Sequence, residues 1–303
     1  YHLIGIKLLE RKLNMYPLVV IVGPTASGKS ALALEVAKKY SGEIICADSR
    51  TIYKGMDIGT AKPSTRDQEL IRHHCLDLIE PNESFSAARF KRLALEAIEE
   101  ISERGKLAIM AGGTGLYVDS VIFDYKFLPV ADNKERQRLN KMTVEQLQDE
   151  IVAKNLDMPF NSTNPRHLAR TIETNGGRPI KEDIRSNTVV IGLRPDLDVV
   201  KKRIQGRVDS MIEQGFVEEV IQLSERYGWD APGLLAPGYK AFRGYIENKI
   251  SLEEAKYEFV RNDYLLARRQ LTWFRRNKSI QWLSDPIKYV EIITTFLNKN
   301  SSN

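Results

Sequence analysis

Residues 23–30 have the composition and spacing of a loop that binds a polyphosphate. Their sequence, Gly-Pro-Thr-Ala-Ser-Gly-Lys-Ser, matches the pattern G-x-x-x-x-G-K-[ST] in full. The glycines allow a tight path in which successive backbone N–H groups converge on an anion. Lys29 would reach a terminal phosphate, and the Ser30 hydroxyl is a ligand for Mg²⁺. The predicted polyphosphate-binding residues are Gly23, Pro24, Thr25, Ala26, Ser27, Gly28, Lys29 and Ser30.

Three other stretches carry groups suited to chemistry beside such a loop. The carboxylate of Asp48 would accept a proton, bind a metal-held water or cap the next segment. In residues 112–115, the hydroxyl of Thr114 lies among glycines that let a substrate approach the backbone closely. Arg203 and Arg207 are four residues apart and share a helical face. The two arginines would therefore either neutralise a diphosphate or pair with surface carboxylates.

The elements that must position these groups alternate between strands and helices. Apolar runs predict buried strands at residues 18–22, 43–47, 107–111 and 188–193. Amphipathic patterns predict helices at residues 30–40, 86–104 and 197–214. The alternation predicts an α/β fold with a parallel sheet flanked by helices, like that of P-loop NTPases. Asp48 and residues 112–115 follow strands, and ligands of open parallel sheets bind beyond the carboxyl ends of the strands. We therefore expect Asp48 to lie beside the phosphate loop.

Residues 125–187 interrupt this alternation, because strand patterns disappear and polar helices are predicted at residues 135–141, 144–154 and 165–175. We interpret the segment as an inserted all-helical subdomain. Helices are expected again after residue 214, broken by a loop at residues 228–238. The predicted core is then residues 16–124 and 188–285, with an N-terminal extension (1–15) and a C-terminal tail (286–303).

The composition limits the possible classes of protein. Hydrophobic residues make up 42% and charged residues 28%, as in ordinary globular proteins. No apolar run approaches the ~20 residues that cross a bilayer, so no membrane association is expected. Cys46 and Cys75 are too few for a disulfide framework, which predicts reduced thiols and a cytoplasmic location. Basic and aromatic residues alternate at 261–278, which is compatible with a solvated helix face or with nucleic-acid binding.

Some features weaken particular alternatives. The predicted strand at 107–111 is followed by glycines and carries no carboxylate to hold a metal, which weakens an ATPase interpretation. Lys62 is compatible with a structural or a functional role. His73 and His74 fall in a predicted helical context without other ligands, so no metal site is expected there.

Together these stretches resemble the tRNA dimethylallyltransferases, also called tRNA isopentenyltransferases. The resemblance runs from about residue 17 to 283. It rests on residues 23–30, 48–53 (Asp-Ser-Arg-Thr-Ile-Tyr), 56–63 (Met-Asp-Ile-Gly-Thr-Ala-Lys-Pro), 112–117 (Gly-Gly-Thr-Gly-Leu-Tyr), the helix with Arg203 and Arg207, 238–240 (Gly-Tyr-Lys) and 267–275 (Ala-Arg-Arg-Gln-Leu-Thr-Trp-Phe-Arg).

The resemblance implies transfer of the dimethylallyl group of dimethylallyl diphosphate to N6 of the adenosine 3′-adjacent to the anticodon in tRNA. The phosphate loop would then hold the diphosphate of this donor rather than ATP. Asp48 would act as general base, and Thr114 would orient the adenine amine or the diphosphate. Lys29, Arg207 and a Mg²⁺ ion on Ser30 would stabilise the departing diphosphate. A monomer is the default expectation.

The resemblance also implies a set of residues that contact the anticodon stem-loop. In the core they are Asp48, Ser49, Arg50, Thr51, Thr114, Gly238, Tyr239, Lys240, Arg268 and Arg269. In the insert they are Arg136, Arg166, His167, Leu168, Ala169 and Arg170, which would clamp the stem-loop from the side opposite the core. Thr51, His167 and Tyr264 replace the Gln, Arg and Arg usual in the family, which predicts weaker charge-based contact with tRNA.

Three other functions stay open at this point. An enzyme that prenylates free adenine nucleotides would share the phosphate loop but would need no RNA-clamping insert. A small-molecule or nucleoside kinase would account for the phosphate loop but not for residues 112–117. A non-enzymatic RNA-binding protein would account for the basic residues after 260 but not for the phosphate loop.

Overall fold

The computed structural model of the chain describes residues 16–128, 133–283 and 286–301. The expected N-terminal extension, residues 1–15, lies outside these ranges. Within them, no helix combines the length and apolar character needed to cross a membrane. Residues Phe123–Asp183 form one compact unit, and the rest of the described chain forms a second, larger one.

Six parallel strands form the sheet of the larger unit. They are β1 (Leu18–Val22), β2 (Gly42–Cys46), β3 (His73–His74), β4 (Leu107–Gly112), β5 (Thr188–Leu193) and β6 (Ile280–Leu283). Their order in space is β3-β2-β4-β1-β5-β6. β1 therefore lies between β4 and β5, which explains why all five of its residues are apolar and buried. The predicted α/β fold with a parallel sheet is confirmed.

The helices fall into three groups by position in the chain. Before the smaller unit lie α1 (Lys29–Lys39), α2 (Thr65–Leu70), α3 (Ala87–Glu103) and α4 (Gly115–Ile122). The smaller unit contains α5 (Asn133–Asn140), α6 (Val144–Ala153) and α7 (Pro165–Glu173). After it follow α8 (Leu197–Glu213), α9 (Phe216–Tyr227), α10 (Pro237–Ile246), α11 (Leu252–Phe274) and α12 (Tyr289–Ser301), with short 3₁₀ turns at Gly233–Leu235 and Pro286–Lys288.

Two hydrophobic cores hold the larger unit together. On one face of the sheet, α1 and α12 pack against alternate residues of β1, Val19 and Ile21. A second core joins α8, α9, α10 and α11, and its centre is aromatic. The Phe216 ring centroid lies 5.2 Å from that of Tyr239 and 5.0 Å from that of Phe242. This aromatic packing fixes the helices that carry the residues discussed below.

The smaller unit has a core of its own. Leu139, Leu147, Ile151, Leu168 and Ile172 are buried together where α5, α6 and α7 meet. Thr143 begins α6 with a capping box, and Asn164 caps α7 through its side chain. The sequence reads as polar in this region because each helix buries only a narrow apolar face.

The structure corrects three local predictions. His73 and His74 form the short edge strand β3 rather than part of a helix. Residues 280–283, expected to be helical, pair with β5 as β6. Residues 286–303, predicted as a tail, include α12, in which Tyr289 and Ile293 are buried against the sheet. In each case tertiary contacts decide the conformation of a short segment whose sequence pattern is weak.

Candidate active site

The phosphate loop connects β1 to α1 along a path that depends on two left-handed residues. Ala26 has φ 58°, and Gly28 has φ 92° where α1 begins. Gly23 also matters, because a Cβ there would lie 2.7 Å from the Ser27 Oγ. As a result of this path, the amino end of α1 points at the loop. The helix dipole favours binding of an anion there.

Lys29 lies at the centre of an electrostatic cluster. Its Nζ donates to the carbonyl of Pro24 across 3.2 Å. Burial lowers the pKa of Lys29, and the neighbouring Arg207 lowers it further, whereas Asp48 and Asp263 act to raise it. A bound anion would raise it as well, because a negative charge stabilises the protonated ammonium.

The ends of β2 and β4 bring Asp48 next to Thr114. A Cβ at Gly112 would clash with the carbonyl of Ala47, so only glycine allows the two strand ends to approach this closely. The backbone N–H of Ser49 donates to the Thr114 Oγ1 at 2.9 Å. One carboxylate oxygen of Asp48 accepts from the N–H of Arg50 at 2.9 Å. The carboxylate and the hydroxyl therefore face one space.

That space is a cavity of about 970 Å³, called the central cavity below. Asp48, Thr114 and Arg207 line it together with Thr25 of the phosphate loop. Its volume is at the upper end of the range for small-molecule sites, enough for more than one substrate group. Three of the four predicted catalytic residues thus line one cavity. The fourth, Lys29, does not line it but is close enough to Asp48 and Arg207 to interact electrostatically.

Helix α8 presents its two arginines to the phosphate loop. Arg203 Nη1 lies 3.4 Å from the carbonyl of Ala26, and Arg207 Nη2 donates to the Asp263 carboxylate at 2.5 Å. The sequence left open whether this pair faces phosphate or a surface carboxylate. Arg207 does pair with a carboxylate, but that carboxylate is buried and lines the central cavity.

Two residues of α11 contact the phosphate loop and the glycine-rich loop at residues 112–115. Neither has a role of its own that the sequence indicates. Gln270 Oε1 accepts from the N–H of Thr25 at 2.8 Å, and its amide nitrogen occupies the space that a Cβ at Gly113 would need. The indole of Trp273 packs in the same way against Gly115. The glycines at residues 112–115 are the sequence signal that could have indicated these contacts. A loop with so little side-chain volume needs large side chains from elsewhere to pack against it.

The residues expected to contact tRNA differ in exposure. Four of them are half-buried and line the central cavity, namely Asp48, Ser49, Arg50 and Thr114. Arg136, Arg166, His167, Lys240, Arg268 and Arg269 are exposed, and Lys240, Arg269 and Gly238 line the central cavity. Arg170 is half-buried and, like Arg136, is ion-paired with Glu173.

Four side chains in the expected set are buried, so contact of these residues with tRNA stays a prediction that only their backbone could fulfil in this conformation. Tyr239 is 0% exposed, its hydroxyl donates to Glu219, and its ring packs in the second core. Thr51, Leu168 and Ala169 are buried as well.

Glu219 holds the segment around Gly59, which also lines the central cavity. Its carboxylate accepts from the backbone N–H groups of Asp57, Ile58 and Gly59 at 2.9, 2.8 and 3.0 Å. Lys62 closes the same segment, since its Nζ donates to the carbonyl of Tyr53 at 2.9 Å and pairs with Asp57 and Asp77. The role of Lys62 is therefore structural.

The central cavity is not lined by His73, His74, Cys46 or Cys75. His74 Nε2 lies 2.7 Å from the buried carboxylate of Glu43, and His73 Nδ1 lies 2.7 Å from a backbone carbonyl. Cys46 and Cys75 are free and buried, and burial raises the pKa of both thiols. Among the described residues, no group of three or more His, Cys, Asp or Glu side chains is placed to hold a metal ion.

Comparison with known proteins assigns the chain to a family. A family model described as IPP transferase matches residues 51–277. The chain belongs to the IPP transferase family. The tRNA dimethylallyltransferase of Geobacillus thermodenitrificans is 40% identical over 290 residues, which cover 90% of this chain and 92% of that protein. The one from Acetivibrio thermocellus is 40% identical over 284 residues, covering 88% and 91%.

Solved structures of the family share the fold. The full-length tRNA isopentenylpyrophosphate transferase of Bacillus halodurans superposes with a TM-score of 0.73 at 36% identity, covering 94% of this chain and 98% of that one. A eukaryotic dimethylallyltransferase acting on tRNA superposes with a TM-score of 0.74 at 25% identity, covering 88% and 73%.

Replacing Glu219 by Ala tests how the segment around Gly59 is held. The change leaves three backbone donors and the Tyr239 hydroxyl without their acceptor, so we expect the free energy of unfolding to fall by about 3 kcal/mol. Urea denaturation measures this change in the free energy of unfolding. Glu218→Ala, on the exposed side of the same helix turn, is the control and should cost less than about 1 kcal/mol. An equal fall in the free energy of unfolding in the two variants would contradict the role of Glu219 in holding this segment.

Proposed function

We propose that this chain is a tRNA dimethylallyltransferase. It transfers the dimethylallyl group from dimethylallyl diphosphate to N6 of the adenosine 3′-adjacent to the anticodon and releases diphosphate. The observation that carries the proposal is the central cavity, where Thr25 of the phosphate loop and Arg207 lie with the carboxylate of Asp48 and the hydroxyl of Thr114. Family membership and relatives named tRNA dimethylallyltransferase support the same activity.

The donor end of the site would be the phosphate loop with Lys29, Arg203 and Arg207. The loop amides and the start of α1 suit a diphosphate, and the three cations suit the charge that grows on it as it leaves. Gln270 accepts from the N–H of Thr25 and so ties the loop to α11. These interactions strengthen as the allylic carbon–oxygen bond breaks, which is what lowers the barrier.

The acceptor end would be Asp48 and Thr114. An adenine amine is a poor nucleophile, because its lone pair is delocalised into the ring. As the N6–carbon bond forms and the carbon–oxygen bond breaks, N6 becomes acidic and its proton passes to the Asp48 carboxylate. The Asp48 oxygen that binds the N–H of Arg50 fixes the carboxylate, which leaves the second oxygen for this proton. The Thr114 hydroxyl orients the amine or the diphosphate.

The residues present fit a magnesium ion carried in with the donor. Ser30 is exposed at the first turn of α1 and supplies one hydroxyl oxygen. With no multi-carboxylate cluster in the described ranges, the remaining ligands would be phosphate oxygens and water, a common arrangement for Mg²⁺. When bound, such an ion neutralises charge on the diphosphate.

Access for a tRNA base requires the adenine to leave its stack, so we propose that the enzyme flips it into the central cavity. Lys240 and Arg269 line this cavity and are exposed, which suits phosphates on either side of the flipped nucleotide. Arg268 extends the basic surface along α11, and Arg166 and His167 offer a further polar surface on the smaller unit. The place of action would be the cytoplasm.

The deciding experiment incubates the protein with Mg²⁺, dimethylallyl diphosphate and unmodified tRNA, followed by digestion of the RNA and mass spectrometry of the nucleosides. We expect adenosine heavier by one dimethylallyl group, formed only with tRNA. Parallel reactions replace tRNA with AMP, or the donor with ATP. Prenylated AMP would favour a nucleotide-prenylating enzyme, and consumption of ATP without prenylation would favour a kinase.

Asp48→Asn tests the proposed base. The amide keeps the shape of the side chain but cannot take up the proton, so we expect the single-turnover rate to fall about 10²- to 10⁴-fold while tRNA affinity stays within about threefold. Rapid-quench kinetics and filter binding measure the two quantities. Ser49→Ala, which changes a neighbouring side chain of the same cavity, should cost less than about tenfold. A single-turnover rate for Asp48→Asn within about tenfold of the wild-type rate would remove Asp48 from this role.

Arg268→Ala tests whether the basic face of α11 contacts RNA. Loss of one phosphate contact should weaken tRNA binding and reduce the slope of log K against log salt concentration by about 0.7–0.9. The control is Arg261→Ala, because that guanidinium is already paired with Glu258 at 3.2 Å and should contribute less. Identical salt slopes for wild type and Arg268→Ala would show that Arg268 does not touch phosphate.

A further inference from the structure

Asp263 is a buried carboxylate that the proposed reaction leaves without a task. It is the one acidic residue in the basic stretch 261–278, it lies on α11, and it is 6% exposed. It also lines the central cavity. A carboxylate placed at an anion-binding site opposes binding of the anion, so its presence calls for a physical reason.

The direct partner of Asp263 is Arg207, the cation proposed to stabilise the diphosphate. Arg207 Nη2 donates to Asp263 Oδ2 at 2.5 Å, and the Arg207 Nε is buried without a hydrogen-bond partner in the described part of the chain. The Arg207 side chain is only 25% exposed. A guanidinium buried to this degree is costly unless a negative charge compensates it. Asp263 supplies that charge when no ligand does.

Four charged groups act on one another around this pair, where burial raises the pKa of Asp263 and Arg207 opposes that rise by favouring the carboxylate. Lys29 and Arg207 are the two cations, and Asp48 and Asp263 are the two carboxylates that act on them. A diphosphate entering the site brings at least two further negative charges toward Arg207. Its oxygens and the Asp263 carboxylate then compete for one guanidinium.

We propose that Asp263 is an internal counter-ion that holds and orients Arg207 in the free protein and competes with diphosphate for it. The inference rests on the proposed function, because diphosphate is the leaving group of that reaction. Asp263 thereby weakens the binding of the released diphosphate, and product release limits turnover in many enzymes. Asp263 acts through Arg207 and is therefore a positioning residue.

Binding of inorganic diphosphate in the presence of Mg²⁺, measured by isothermal titration calorimetry, tests the proposal on the full chain. In Asp263→Asn, diphosphate becomes the main counter-ion of Arg207, so we expect the Kd to fall about tenfold. Asp263→Glu restores the carboxylate and should bind within about threefold of wild type. If the Asp263→Asn variant folds poorly, Asp263→Ser provides the same test with a smaller side chain.

The matched control is Glu258→Gln. Glu258 lies on the same helix and lines the same cavity, but it pairs with Arg261 rather than with Arg207. We expect the Kd of the Glu258→Gln variant for diphosphate to differ from the wild-type value by less than about twofold. In an Arg207→Gln background, Asp263→Asn should likewise change the Kd less than about twofold, because the guanidinium for which it competes is gone.

The possible outcomes separate the inference from the proposed function. An unchanged or weaker affinity in Asp263→Asn overturns the inference, as does an equal gain in Glu258→Gln or in the Arg207→Gln background. If the wild-type protein binds diphosphate and Lys29→Ala abolishes that binding, the proposed donor site still stands in all these cases. No diphosphate binding by wild type would overturn the donor site and the inference together.

Discussion

The close approach of β2 and β4 at their carboxyl ends is the constraint on which the rest of the site depends. The Ala47 carbonyl occupies the place that a side chain at position 112 would need, and the N–H of Thr114 donates to that same carbonyl at 3.2 Å. Asp48 is the next residue along the chain. The carboxylate and the hydroxyl are therefore positioned by backbone geometry, with little dependence on flexible side chains, and such rigidity is what acid–base chemistry requires.

Helix α11 completes the arrangement from the opposite wall. Within its 23 residues, Phe259 packs in the second core, Asp263 pairs with Arg207, and Gln270 accepts from the N–H of Thr25. Arg268 and Arg269 lie on its exposed side. One rigid element thus joins the hydrophobic core, the anion site and the basic surface, so a change in the position of this helix affects all three.

The sequence predicted the central strands and the phosphate loop well because their signals are local. The buried apolar run at 18–22 and the spacing of the glycines before Lys29 need no information about distant residues. The edge strands β3 and β6 were missed because a partner in space, rather than their composition, makes them strands. Tyr239 was assigned to RNA because it belongs to the motif 238–240 that the resemblance places in contact with tRNA. Gly238 and Lys240 line the cavity while the Tyr239 side chain is buried, because consecutive residues of a helix point in directions about 100° apart. The pairing of Arg207 with Asp263, 56 residues apart, has no sequence signal at all.

The crowding around residues 112–115 has a consequence for engineering the enzyme toward other substrates. Gly112, Gly113 and Gly115 each abut a different neighbour, namely the Ala47 backbone, Gln270 and Trp273. A side chain at any of these glycines would force its neighbour to shift, and the cost is greatest at Gly112, where the neighbour is backbone. Leu116 and Leu235 line the same cavity, are exposed, and have room around them. A combinatorial library that varies these two leucines and leaves the glycines fixed would explore substrate range at little cost in folding.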